Sequence, residues 1–397
     1  MEVEAKAPGK VLWFGGYSVL EQPNIGYVTT IDAYVHANVK LSEGGEEVRI
    51  TAPDFNLERL GTIDYRTGRL RMERIKELNL LMTTVEVANA YAISKGIKLV
   101  GMELKTKNDA AFAYRVEDGD KNRKVSKSGM GSSSAVTVAL TAALLESYGL
   151  NSMEDDAVHK LSQLSHSLAT GKVGSGFDIA AATYGSIAYT RYSPSILSSF
   201  PRDFTAEDVA AIVKKNWDYR IDKLSLPSFF RTTMANFVNE AAITTSMVGI
   251  VNEFKKMSPE KYAELVAEMN ASAEKAMEQL SKIKGEEDSN AISAFVESFE
   301  KNRVATKRLG ELSGADIESA EATRLIEESR RNGALVAKLP GAGGKDSIVA
   351  ISVNDSDAQR LRKFWAGRKE LDLIEVSMQN GGVILSKDMQ KRTQKNA

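Results

Sequence analysis

The sequence predicts an α+β protein organised as two domains. Three observations carry this expectation. At 397 residues the chain exceeds what one hydrophobic core usually organises. Its opening alternates apolar runs with turn signals, and its end returns to short strands after a long helical stretch.

In chain order, Val11–Phe14 runs into Gly15-Gly16, and Tyr27–Ile31 and Ala33–Val39 read as β-branched strands. Leu78–Ser94 carries apolar residues at helical spacing, and Ala135–Leu145 is a nearly all-apolar helix suited to a domain interior. Between them, Lys105–Lys127 is charged and irregular, as expected of a long loop leading to a glycine-rich turn. Asp155–Leu168 is helical and ends at Thr170-Gly171, after which Gly174-Ser175-Gly176 turns the chain into the apolar stretch Ile179–Ala182. A strand pattern, Ser186–Tyr192, stops at Pro194. The stretch beyond has no strong period, so the expected domains are residues 1–200 and 201–397.

The second half starts helically at Ser258-Pro259, with Tyr262, Leu265, Val266, Met269, Met277 and Leu280 forming an apolar face. It closes as strand Ala334–Leu339, a glycine loop, strand Ser347–Val353, helix Ser356–Trp365 and strand Leu371–Met378.

Composition narrows the function. The 52 basic and 53 acidic residues nearly cancel, so the general positive field of a non-specific nucleic-acid binder is missing. Without cysteine there is no thiolate chemistry, and with three histidines a multi-imidazole zinc site is not expected. Any metal should be held by oxygen ligands. No basic, apolar leader and no membrane-length apolar run stand out, so the expected compartment is the cytoplasm.

The most informative motif is Lys127-Ser128-Gly129-Met130-Gly131-Ser132-Ser133-Ser134-Ala135, which runs straight into the buried-type helix. Glycines let the backbone approach an anion, and free N–H groups at a helix start favour phosphate. The segment is neither G-x-x-x-x-G-K-[ST] nor G-x-G-x-x-G. Taken by itself it is equally a flexible loop before a serine-capped helix. Two further segments are Ala7-Pro8-Gly9-Lys10 through Gly15-Gly16-Tyr17, and Leu339-Pro340-Gly341-Ala342-Gly343-Gly344-Lys345-Asp346.

In this order the three segments resemble the three motifs of the GHMP kinases, a superfamily of small-molecule kinases. Ser18-Val19-Leu20-Glu21 after the first motif, and Gly171 through Ala182 with Gly-Ser-Gly-Phe-Asp at its centre, resemble its phosphomevalonate kinase branch. The resemblance spans nearly the whole chain. It implies an N-terminal α+β domain with a left-handed β-α-β crossover and a C-terminal ferredoxin-like α+β domain, with the active site in the cleft between them.

Carried over position by position, the resemblance implies that Lys127, Gly129, Met130, Gly131, Ser132, Ser133 and Ser134 bind ATP, with Ser133 reaching Mg2+. The carboxylate that would be the second metal ligand is replaced by His166, which leaves that ligand open; His166 is equally a packed helix residue. Lys10 and Asp178 are the expected catalytic pair, although an aspartate at 178 could equally cap the helix that follows. Gly16, Tyr17, Ser18, Gly174, Ser175, Gly176, Arg191 and Ser193 are expected around the acceptor with that pair. Gly341, Ala342, Gly343 and Gly344 are expected to close over the phosphates. Lys105, Lys127, Lys172 and Arg191 are the candidate cations for the acceptor's phosphate.

A phosphate-monoester acceptor, with a second pKa of about 6, needs no deprotonation at neutral pH. Lys10 and Mg2+ should therefore matter most, with Asp178 orienting Lys10. The implied partners are ATP and phosphomevalonate, with no nucleic acid and no membrane, in a monomer or homodimer. Mevalonate or another acceptor of the superfamily is the alternative, as is an inactive ligand sensor.

Overall fold

In the computed structural model, which describes residues 2–115, 125–127, 129–150, 155–238 and 244–386, the strand Gly26–Leu41 is the spine of a ten-stranded mixed sheet. Its first residues, Gly26 to Ile31, are buried on both faces, and burial alternates from Asp32 onward. The sequence reading divides this segment in two, whereas the structure keeps one strand. Asp32 can stay within it because it is exposed and its backbone N–H and carboxylate both bond to Ser377, at 3.0 and 2.7 Å.

The opening strand Glu2–Phe14 runs antiparallel beside the spine, from Glu2 opposite Lys40 to Phe14 opposite Tyr27. Its register slips between Pro8 and Lys10, and such a bulge bends a strand and re-aims its side chains. On the spine's other edge lies Met102–Asn108, which begins the stretch expected to be a loop. Met102, Leu104 and Thr106 are buried while Glu103, Lys105 and Lys107 are exposed, the period-two pattern of a half-buried strand. That strand runs parallel to Glu47–Ala52, with helix Asn79–Ser94 in the crossover between them. Farther along, Ala113–Arg115 and Val125–Lys127 form an antiparallel pair leading to the glycine turn.

Helix Ser132–Ser147 lies on the opening strand and the spine, with helices Asn79–Ser94 and Asp155–Thr170 beside it. It is buried nearly all round, as its unbroken apolar sequence requires. Ile179–Ala182 belongs to helix Phe177–Tyr184. The stretch after Pro194 contains helix Ala206–Lys214, started by a capping box in which Thr205 and Asp208 bond each other's backbone N–H.

The second sheet is built from Arg231–Phe237, Val336–Lys338, Ser347–Ser352 and Leu371–Ile374, all antiparallel. Numbered along the chain, their spatial order is fourth, first, third, second, the ferredoxin-like arrangement. One face buries Ala235, Phe237, Ile348 and Ala350 with helices Ala320–Arg331 and Asp355–Ala366. The other face, with Met234, Val349 and Ile351, joins the large core shared with the first sheet.

The two sheets are not separated by one cut at residue 200. Arg220–Lys223 pairs with Ile187–Thr190, and Met378–Gln379 and Ile384–Leu385 return to the first sheet. Phe299 of helix Ser289–Ser313 packs against Trp13 and Phe14, at ring separations of 6.3 and 5.4 Å. The second unit is thereby seated on the end of the opening strand. Among the described residues no helix is long and apolar enough to cross a membrane.

Candidate active site

The bulge in the opening strand brings Lys10 under the glycine turn. Its backbone N–H bonds the Met130 carbonyl at 2.9 Å, and its Nζ bonds the Gly129 carbonyl at 2.8 Å. Gly129 and Gly131 have φ of +66° and +83°, left-handed values that suit glycine. A Cβ on Gly131 would lie 3.0 Å from Lys10 Cε, so the turn rests on the lysine stem. Gly131 caps helix Ser132–Ser147, which directs that helix's first N–H groups at the same place. Met130 and Ser134 are buried, whereas Ser132 and Ser133 are half-buried. Lys127 ends the strand Val125–Lys127; its side chain, and Ser128, lie outside the described residues.

Asp178 arrives in the first turn of helix Phe177–Tyr184. Its Oδ1 accepts the Ile179 N–H at 3.0 Å, and its Oδ2 accepts a short bond from the Ser134 hydroxyl. This carboxylate is therefore held in place from two sides. Burial lowers the pKa of Lys10 from its usual value, and the carboxylates of Asp178 and Asp346 oppose that shift. One ammonium is thus under the influence of two carboxylates, beneath a glycine turn that leads into a helix start.

The turn before Asp178 is locked carbonyl by carbonyl. Gly174 accepts from Arg191 at 2.8 Å, Ser175 from the Tyr189 hydroxyl at 3.2 Å, and Gly176 from Gln163 at 2.8 Å. Arg191 is buried and also donates to the Leu20 carbonyl at 2.6 Å, so it clamps the end of the first motif to this turn. Its Nη1 and Nη2 are engaged by backbone carbonyls, while its buried Nε has no hydrogen-bond partner among the described residues. Ser193 lies apart, bonded to Asp218 and, at 3.1 Å, to Gln22. Lys172 is exposed beside the turn, Lys105 is exposed on the outer face of the first sheet, and His166 is half-buried on helix Asp155–Thr170.

The third glycine loop docks on the first motif. Gly341 N–H bonds the Leu12 carbonyl at 3.4 Å, and the Tyr17 hydroxyl bonds the Ala342 carbonyl at 2.8 Å. A side chain on Gly16 would collide with the Gly341 carbonyl oxygen. Tyr17 and Ser18 are both buried in this junction. Lys338, at the end of the strand feeding the loop, is buried and donates to the Trp13 carbonyl at 2.6 Å. Burial lowers its pKa to about 8. On the loop's other side, Gly344 N–H bonds the Ile317 carbonyl at 2.9 Å, and a side chain on Gly343 would strike that same carbonyl.

The structure therefore brings Lys10, the 129–134 turn, Asp178 and the 341–346 loop together. Sequence reasoning did not assign Gln163, Lys338 or Asp346 any part in it. Lys338 did carry a signal, a lone cation inside the apolar run Ala334–Leu339. The Ser133 hydroxyl and the carboxylates of Asp178 and Asp346 are hard oxygen donors, chemistry that suits a small divalent cation sharing the site with phosphate.

Residues 81–186 match the family of GHMP kinase N-terminal domains, and residues 291–370 match that of GHMP kinase C-terminal domains. The peroxisomal phosphomevalonate kinase of Arabidopsis thaliana is 29% identical, over 94% of each chain. The phosphomevalonate kinase of Saccharolobus solfataricus is 28% identical, over 96% of this chain and 98% of its own. Among solved structures, Streptococcus pneumoniae phosphomevalonate kinase in complex with phosphomevalonate and AMPPNP superposes with a TM-score of 0.74 at 20% identity, covering 95% of this chain and 99% of its own.

Proposed function

The chain belongs to the GHMP kinases, and on that footing we propose that it transfers the γ-phosphoryl group of ATP to 5-phosphomevalonate, giving the diphosphate and ADP. The observation that carries the acceptor is similarity over nearly the full length of both chains to phosphomevalonate kinases from a plant and an archaeon. The site's chemistry agrees with it. A phosphate acceptor brings its own ionised nucleophile, so the barrier lies in bringing two anions together.

In this reading the backbone N–H groups of Gly129 to Ser134 bind the ATP phosphates. Lys10, anchored on Gly129, meets the charge that builds up on the transferred group. Asp178, fixed by the Ser134 hydroxyl and the Ile179 N–H, opposes the lowering of the Lys10 pKa by burial and orients the ammonium. Mg2+, held with the nucleotide by the Ser133 hydroxyl, would neutralise charge on the phosphates. Arg191 shapes the acceptor side by fixing Gly174 to Leu20, and Ser193 stands beyond it.

The deciding experiment is ADP release measured with a panel of acceptors. Phosphomevalonate should be used with a specificity at least about a hundredfold above mevalonate, homoserine or galactose. Preference for mevalonate would overturn the acceptor. Binding without turnover would mean a ligand sensor, and CO2 release would mean a decarboxylase.

A further inference from the structure

Gln163 lies on helix Asp155–Thr170, four residues beyond His159, and both side chains are buried. Its amide nitrogen donates to the Gly176 carbonyl at 2.8 Å. That carbonyl also accepts the Ala180 N–H at 3.0 Å, so it starts helix Phe177–Tyr184, which carries Asp178 in its first turn. The turn rests on the amide itself: a Cβ on Gly176 would lie 2.7 Å from Gln163 Nε2 and 2.9 Å from both Gln163 Oε1 and the Tyr189 hydroxyl.

These contacts admit one orientation of the amide. A carbonyl can only accept, so the Gln163 atom facing Gly176 is the nitrogen. Its second hydrogen then meets His159 Nε2, 2.9 Å away, and its oxygen accepts from the Tyr192 hydroxyl at 3.3 Å. His159 must therefore accept through Nε2 and carry a single proton on Nδ1. Burial lowers the pKa of this imidazole to about 3, which keeps the ring neutral. The rings of Tyr184 and Tyr219 hold it edge-to-face, at 5.3 and 4.7 Å. A charged His159 would set donor against donor, and a turned amide would set its oxygen against the Gly176 carbonyl.

We propose that Gln163 is a positioning residue: oriented by His159 and Tyr192, its amide holds the carbonyl at the start of helix Phe177–Tyr184 and so sets the Asp178 carboxylate toward Lys10. The carboxylate bonds the Ile179 N–H of that same first turn, so its aim follows the helix start. The proposal rests on the kinase reading in which Asp178 orients Lys10, and the tests separate the two.

The first test is a double-mutant cycle of Gln163→Leu and Asp178→Asn, read as kcat with phosphomevalonate and as affinity for Mg2+-ATP. Gln163→Leu should lower kcat by about fivefold to tenfold, no more than Asp178→Asn does, and leave Mg2+-ATP affinity within about twofold. In the Asp178→Asn protein the same change should cost less than about twofold, because the group it acts through is already gone. An unaltered kcat, or a loss undiminished in the Asp178→Asn background, overturns the proposal; a residue that only braced the fold would give that additive loss. A second measurement needs no change at Gln163 and decides the matter where Gln163→Leu does not fold. Nitrogen-15 NMR of histidine-labelled protein, with His159 identified as the ring retained in His36→Gln/His166→Gln, should show the proton on Nδ1 and Nε2 bare. A proton on Nε2 would mean that the amide nitrogen is turned from Gly176, which overturns the proposal while leaving the kinase reading intact. Failure of the wild type to phosphorylate any acceptor overturns the kinase reading and the positioning role with it.

Discussion

At Gly131 a side chain would meet the flexible stem of Lys10, 3.0 Å from Cε, whereas at Gly343 it would be driven into the rigid carbonyl of Ile317. Both glycines sit in loops that look alike in sequence and both have φ of about +80°. The first loop uses its missing side chains to rest on the Lys10 stem and leave helix N–H groups open. The second uses them to bury backbone against backbone, on Ile317 at one side and Gly16 at the other. A glycine-rich run therefore reports close approach without saying what approaches. In the third loop it is the rest of the protein, and Asp346, at the loop's end, lies 4.0 Å from where a Cβ on Gly129 would be.

The largest expected effect belongs to the first loop. Lys10→Met should lower turnover about a thousandfold, or about 4 kcal/mol of transition-state stabilisation, with little change in melting temperature. Asp178→Asn should cost only about tenfold, and the rate should follow the acceptor's ionisation near pH 6 in both proteins. Equal losses, with that pH dependence gone, would mean that the acceptor is an alcohol needing a base.

Next in size is Gly343→Val, which should destabilise the fold by about 3 kcal/mol, since it adds a β-branched residue at positive φ to a filled contact. Gly131→Ala should cost less stability and more activity. Urea unfolding beside steady-state kinetics checks the pair. Gly343→Val with native stability and lost turnover would place ligand, not protein, against the third loop.

The same contrast explains what was legible beforehand. Lys10, Asp178 and the 129–134 turn are local patterns, and the structure assembles them through a bulge and two helix starts that the glycines announce. Arg191 is expected to meet the acceptor's phosphate, and nothing near it in sequence shows that the Leu20 and Gly174 carbonyls also converge on it. The strand Met102–Asn108 was missed because its charged outer face outweighed three buried alternate positions. Asp346 registered only as a departure from a glycine-rich pattern. Its approach to Gly129 is a long-range distance that no periodicity encodes.

Lys338 tests the packing side of the comparison through pH. Its pKa is about 8 in the folded protein and 10.5 when solvated, so between those values the unfolded chain binds more protons and stability rises with pH. Below about pH 8 the cost of holding a buried charge is constant. The stability of wild type minus that of Lys338→Met should therefore climb by up to about 3 kcal/mol from pH 7 to 10.5. Parallel stability curves would mean that Lys338 is not buried as a cation against Trp13.

The smallest effect is expected where the first loop offers a group to a ligand and to nothing else. Among the described residues the Ser133 hydroxyl makes no hydrogen bond, its carbonyl alone being engaged by Thr137, whereas the neighbouring Ser134 hydroxyl is buried and bonded to Asp178. Removing the first should leave the protein's own bonds intact, and removing the second should release the Asp178 carboxylate. Ser133→Ala should therefore keep the wild-type melting temperature while raising the Mg2+ concentration for half-maximal rate by a few-fold, roughly the contribution of one neutral ligand among six. Ser134→Ala should lower the rate at saturating Mg2+ with no such shift. Titrating Mg2+ against rate for both variants separates them. An unaltered Mg2+ requirement in Ser133→Ala would remove that hydroxyl from the metal shell and leave the first loop as a phosphate cradle alone.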